Sequence, residues 1–81
     1  MKVKVRYFAS IKEWTGLKEE FLELPEGSNA DALRREVQRL HGKLDMQEGS
    51  ILVAVNGGFV EPSRELKSGD EVALFPPVSG G

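Results

Sequence analysis

The opening stretch KVKVRYF alternates without a break. Val3, Val5 and Tyr7 fall on one side of an extended chain, and Lys2, Lys4, Arg6 and Phe8 on the other, the signature of a half-buried β-strand. ASIKEWTG follows and closes on Gly16; LKEEFLEL then reads as a second strand with Leu22 and Leu24 inward. Two strands joined by about eight residues predict an antiparallel pair with a helical turn at its tip.

The period then changes. In PEGSNADALRREVQRLHG, residues Ala30, Leu33, Val37 and Leu40 recur at helical spacing and form one narrow apolar stripe. Pro25 and Gly27 end the preceding strand. Ser28 or Asn29 can cap the helix, Asp31 suits its positive end, and Gly42 suits its stop. This is the one helix the pattern predicts. KLDMQEGS is a connector, and ILVAVN, apolar almost throughout, reads as a central strand. Asn56-Gly57-Gly58 carries a hairpin signal, FVEPS an edge piece ended by Pro62, and Ser68-Gly69-Asp70 a turn into a last strand, Glu71 to Phe75.

The resulting order, ββ-α-β(β)-β, leaves one amphipathic helix to cover one face of one sheet. The first and last strands can lie side by side and parallel in the middle. The expected fold is therefore α+β: a β-grasp, or ubiquitin-like, domain with a mixed sheet of roughly four to five strands and one helix on one face. It spans residues 1–81 as a single domain, with a flexible tail over 76–81.

Strand parity points to a function. If Val5 and Tyr7 face the helix, Phe8 does not. If Val72 and Leu74 face in, Ala73 and Phe75 face out, and if Val60 faces in, Phe59 faces out. Three of the four phenylalanines thus land on the face opposite the helix. Large exposed aromatic patches mark binding surfaces, and aromatics are enriched in interface cores.

Composition narrows the function classes. A chain of 81 residues has a modest core and no room for a second lobe closing over a deep cleft, so a carrier, adaptor or subunit is expected rather than a self-contained enzyme. The net charge is −2, and the one basic cluster, Lys2, Lys4 and Arg6, fits a solvated strand face better than a phosphate track, so no nucleic acid is expected. The absence of cysteine excludes disulfides, thiolate metal sites and cysteine nucleophiles. With no signal-peptide pattern and no apolar run near the ~20 residues that span a bilayer, a cytoplasmic protein with no membrane partner is expected. His41, the one histidine, sits where a cation suits the helix end and reads as structural. Asp70 and Glu71 are strand neighbours facing opposite ways, poor material for a catalytic pair. Trp14 is expected to pack the tip of the first connection. Gly57-Gly58 lacks the following helix that a phosphate loop needs. No metal site is expected.

The last residues are LFPPVSGG. Pro76-Pro77 stiffens the exit from the sheet, and the four extended residues beyond, Val78 to Gly81, reach about 13–14 Å. Glycine, lacking Cβ, can thread a narrow channel. A carboxylate is a poor electrophile until it is activated, typically as an acyl-adenylate made from ATP, which an amine, water or a sulfur nucleophile can then open.

With VRYFAS, ADALRREV, VAVN and above all GDEVALFPPVSGG, the sequence resembles over its whole length the small subunit of molybdopterin synthase, a ubiquitin-like sulfur carrier. The resemblance implies that Gly81 is adenylated by an E1-like adenylyltransferase and converted to a thiocarboxylate with sulfur from a persulfide protein, while Gly80 and Ser79 belong to the tail that enters the active sites. It implies that Phe8, Phe59 and Phe75 pack on the large catalytic subunit, which holds the pterin. Two sulfur transfers there turn cyclic pyranopterin monophosphate into the dithiolene of molybdopterin, in a heterotetramer. The small subunit binds no cofactor; ATP is used by the activating enzyme. A sulfur carrier for thiamine thiazole or tRNA thiolation, a protein modifier that forms isopeptide bonds, and an inert interaction module are the remaining readings.

Overall fold

The computed structural model describes residues 1–42 and 51–76. Among the described residues seven elements occur in chain order: β1 (Lys2–Tyr7), α1 (Ala9–Thr15), β2 (Glu19–Glu23), α2 (Ala30–His41), β3 (Leu52–Val55), β4 (Gly58–Phe59) and β5 (Glu71–Phe75). The strands form one five-stranded sheet in the order β2-β1-β5-β3-β4. β1 and β5 run parallel, with Val5 beside Val72 and Tyr7 beside Leu74. The β1–β2, β3–β5 and β3–β4 pairs are antiparallel. The first and last strands are neighbours inside the sheet, as the element order predicts, and β5 holds the centre.

The core lies between the sheet and α2. Val3, Val5, Val72 and Leu74 are fully buried against Leu33 and Val37 of the helix. Asn29 is the cap: its side chain accepts a 2.8 Å hydrogen bond from the Ala32 amide. Ser28 instead donates to the Pro25 carbonyl. Leu40 departs from expectation, being 45% exposed. At the last turn of α2 the stripe splits, and His41, on its other flank, turns toward the sheet instead. Leu66, absent from the pattern reading because it lies between two turns, is 2% exposed. Its amide bonds the Ser28 carbonyl at 2.8 Å, so this segment closes the core beneath the start of α2.

The first connection, where a helical turn was expected, holds a second helix, α1. α1 buries Ile11 completely and ends at Gly16, whose φ of 75° and 2.8 Å bond to the Lys12 carbonyl close it. Seven residues are too few for a helical period to show in sequence, and a helix so short survives through packing rather than propensity. The Asn56-Gly57 hairpin forms as read, with both residues at positive φ (50° and 91°).

Candidate functional site

The sheet face away from α2 has no secondary-structure element packed on it among the described residues. All four phenylalanines lie on it, not three, because Phe21 of β2 stands opposite Lys4 and points the same way. The alternation that put Leu22 inward already implied this.

Three of the rings form one cluster at one end of the face. Phe8, just after β1, stacks on Phe75, the last residue of β5, with centroids 4.6 Å apart and planes 10° from parallel. Phe59 of β4 meets Phe75 at 5.6 Å, tilted by 58°. Leu52, paired with Phe75 across the β3–β5 ladder, extends the patch and is 38% exposed. Phe59 is 69% exposed, the most open of the four, while Phe8 and Phe75 shield one another and are half-buried. Ala54, between Phe59 and Ala73 in register, is buried on this face although it lies outside the core cluster.

The other end of the face is polar. Lys4 pairs with Glu19 at 3.2 Å, and Arg6 lies between Glu71 at 3.4 Å and Glu19 at 4.0 Å. Two of the three basic residues noted in the sequence, Lys4 and Arg6, are therefore paired with carboxylates across strands, which weakens any claim on phosphate. Arg6 also sits over the Phe8 ring, 5.4 Å from its centroid, and Lys2 over Phe21 at 5.0 Å.

The chain leaves the sheet at the aromatic end, since Phe75 is followed directly by Pro76. Ser79, Gly80 and Gly81 lie outside the described residues.

The remaining candidates are structural. Asp70, 9% exposed, accepts from the Asn56 side-chain amide at 3.0 Å and from the Lys67 amide at 2.8 Å. Asn56 in turn accepts from the Glu71 amide at 3.0 Å, which ties the hairpin to the start of β5. His41 bonds Glu20 of β2, and Glu20 also accepts from the Tyr7 hydroxyl. The Tyr7 and Trp14 rings meet the imidazole edge-on at 6.0 and 6.2 Å. This cluster joins α1, α2 and the β1–β2 pair, and the sequence gives no sign of it because its members are far apart in the chain. Burial, then the hydrogen bond to Glu20 and the charge of its carboxylate, push the Tyr7 phenol well above the ordinary tyrosine range. Asp31 is held below the usual carboxylate range, chiefly by its hydrogen bond from Arg34, the partner at 2.7 Å. Among the described residues no three His, Asp or Glu side chains gather as a metal-binding set, and no helix is long and apolar enough to cross a membrane.

A mixed sheet with parallel inner strands and a long helix across one face defines a ubiquitin-like β-grasp protein, here with an exposed aromatic patch where β5 ends. The ThiS family model matches residues 5–81, and the chain belongs to that family. It is 39% identical over its full length to the full-length molybdopterin synthase sulfur carrier subunit of Chlamydomonas reinhardtii. Among solved structures it resembles subunit 1 in the complex of subunits 1 and 2 of the molybdopterin-converting factor from Helicobacter pylori, at 30% identity and a TM-score of 0.68 with both chains fully covered. It also resembles the small archaeal modifier protein 1 of Methanosarcina acetivorans, at 28% identity and a TM-score of 0.74, with 99% of this chain and 96% of that one covered.

Proposed function

We propose that this chain is the sulfur-carrying small subunit of molybdopterin synthase. The observation that carries this reading is the aromatic cluster of Phe8, Phe59 and Phe75 set at the root of the Gly-Gly tail. Binding through those rings would leave the tail beside the bound partner. The family and the Helicobacter pylori two-subunit complex support the large subunit as that partner.

The chemistry belongs to the carboxylate of Gly81. An E1-like adenylyltransferase joins it to AMP, with pyrophosphate leaving from ATP. The terminal sulfur of a protein persulfide then attacks the acyl carbon and AMP leaves. A thiol cleaves the resulting acyl disulfide, and the thiocarboxylate remains. On the large subunit its sulfur attacks an oxygen-bearing side-chain carbon of the pterin precursor, the carbon–oxygen bond breaks with the oxygen leaving as water or on the phosphate, and a second water opens the acyl–sulfur bond to restore the carboxylate. Two such cycles supply a dithiolene. The chain itself binds no cofactor in this reading, which places it in the cytoplasm with its activating enzyme.

Reconstitution with the activating enzyme, persulfide donor, ATP and large subunit tests this. The intact mass should rise by about 16 Da as one oxygen is exchanged for sulfur, and pterin conversion should follow. Deleting Gly81 moves the carboxylate back by about 3.5 Å, too far for a reacting group. That variant should fold, occupy the large subunit and block the intact chain. Sulfur uptake and product formation near the normal rate by the shortened chain would overturn the assignment. The likeness to an archaeal modifier protein favours one second reading, transfer of the same activated glycine to a lysine. It would show as slower-migrating conjugates that form with ATP.

A further inference from the structure

The recess beside Phe8 carries positive charge that its own surroundings do not answer. It has a volume of about 350 Å³ and lies where β1 turns into α1, with Arg6, Phe8, Lys12, Lys18 and Glu19 in its lining. Three cations and one carboxylate meet there, in a chain whose net charge is −2. Glu19 is already engaged by Lys4 at 3.2 Å and Arg6 at 4.0 Å, and Arg6 also by Glu71 at 3.4 Å. Lys12 and Lys18 are exposed and make no ion pair among the described residues. Both backbones are fixed. The Lys12 amide donates to the Phe8 carbonyl at 3.4 Å, and the Lys12 carbonyl accepts from the Gly16 amide at 2.8 Å. The Lys18 carbonyl accepts from the Tyr7 amide at 2.8 Å. Ile11, fully buried, pins α1 beneath them. The fold thus keeps two like charges on one rim, where they repel and the isolated chain gives no relief.

The recess is continuous with the aromatic cluster, because Phe8 lines the one and stacks on Phe75 in the other. A partner whose apolar surface covers Phe8, Phe59 and Phe75 brings its adjoining surface over the recess. Interfaces combine an apolar centre with a polar rim, and on this side the rim is cationic. We propose that the recess receives a carboxylate side chain of the large subunit, which pairs with Lys12 and Lys18 while the rings pack. This rests on the sulfur-carrier reading above and deepens it by naming the chemistry of one contact on the partner. The rings, Phe8 included, supply the larger share of the affinity. The lysines speed the encounter, fix its orientation and add a smaller share that depends on salt. A nucleic acid is a poorer occupant, since two unpaired cations beside an aromatic patch do not make a phosphate track.

The experiment mixes the full-length chain with the large subunit and measures association rate and affinity from low to high salt. Lys12→Gln/Lys18→Gln should bind about tenfold more weakly at low salt, chiefly through slower association. The difference should fade toward 1 M salt, where the screening length shrinks to about 3 Å. The melting temperature should not move, since both side chains are exposed. Lys12→Arg/Lys18→Arg keeps the charge and should bind within about threefold of normal. Lys67→Glu makes the same change in net charge on the turn before β5, at the opposite end of that strand from Phe75, and should alter association by less than about twofold. Carbodiimide treatment of the complex should join Lys12 or Lys18 to an aspartate or glutamate of the large subunit, as read by peptide mass spectrometry. The proposal is overturned if the Gln double variant associates normally at low salt, or loses no more than Lys67→Glu does. A loss that persists undiminished at high salt overturns it too, because the contact would not be ionic. An unaltered chain that does not bind the large subunit at all would instead overturn the sulfur-carrier reading, and this contact with it.

Discussion

The two faces of the sheet are both rich in large apolar side chains, yet they differ in what covers them. On one face Val3, Val5, Val72 and Leu74 are fully buried beneath α2. On the other, Phe59 and Phe21 are 69% and 61% exposed, and Phe8 and Phe75 are screened largely by each other. The same alternating strands feed both faces, so residue type alone does not separate folding from binding. The separation comes from α2, the one long helix among the described residues, which can cover one face and not two. A ring on the covered face stabilises this chain; a ring on the open face can gain as much only from a partner.

Substitutions that treat the two faces alike should therefore split cleanly. The largest effect on folding is expected at Leu33, fully buried on α2. Leu33→Ala should destabilise by about 2–5 kcal/mol in a denaturant titration, enough to threaten a domain this small. On the open face, Phe75→Ala should weaken binding to the large subunit by about 2 kcal/mol or more by calorimetry while the melting temperature changes little. A large fall in melting temperature with unchanged affinity would place Phe75 with the core and erase the comparison.

Tyr7 sharpens it from the covered side. Its phenol is the only one in the chain, so its ionisation can be followed by ultraviolet absorbance without interference from another tyrosine. Because the folded state raises its titration, its contribution to stability is complete below pH about 10, the ordinary tyrosine value. It is lost progressively as the pH rises from there toward the folded-state value, because the unfolded chain ionises first. Tyrosinate should thus be absent from the native protein just above pH 10 and appear with unfolding. Glu20→Gln should ease the phenol back toward its ordinary range, though not fully, since burial is the larger cause. The smallest effect belongs to the polar end of the open face. Lys4→Ala breaks an exposed pair with Glu19 and should change stability by less than about 1 kcal/mol, and less still in high salt.

Much of this arrangement is legible in the residues. The strict alternation of KVKVRYF assigns each side chain of β1 to its face. The parity of Phe59 and Phe75 places them outward before any contact is known, and the Asn-Gly pair marks the hairpin. Phe21 was equally readable by the parity of Leu22, since a strand sends neighbours to opposite faces. Other features were not readable. A helical turn was expected after β1, but its extent as α1 was not, since seven residues are too few to show a period, and Leu66 belongs to no periodic element. The Tyr7–Glu20–His41 cluster brings together residues 13 and 21 positions apart.

What the sequence by itself determined is local: the period of each segment, the face each side chain takes, the caps and turns, and the character of the tail. These follow from backbone geometry, which repeats every few residues and needs no knowledge of the rest of the chain. What only the tertiary structure decided is which outward rings meet. Phe8, Phe59 and Phe75 become one cluster because β1, β5, β3 and β4 are adjacent in that order. Parallel pairing of β1 with β5 then brings Phe8 flat against Phe75 at the point where the chain leaves the sheet. Strand order and register are set by the sum of many distant contacts with the buried side of the sheet, and no short stretch of sequence holds that sum.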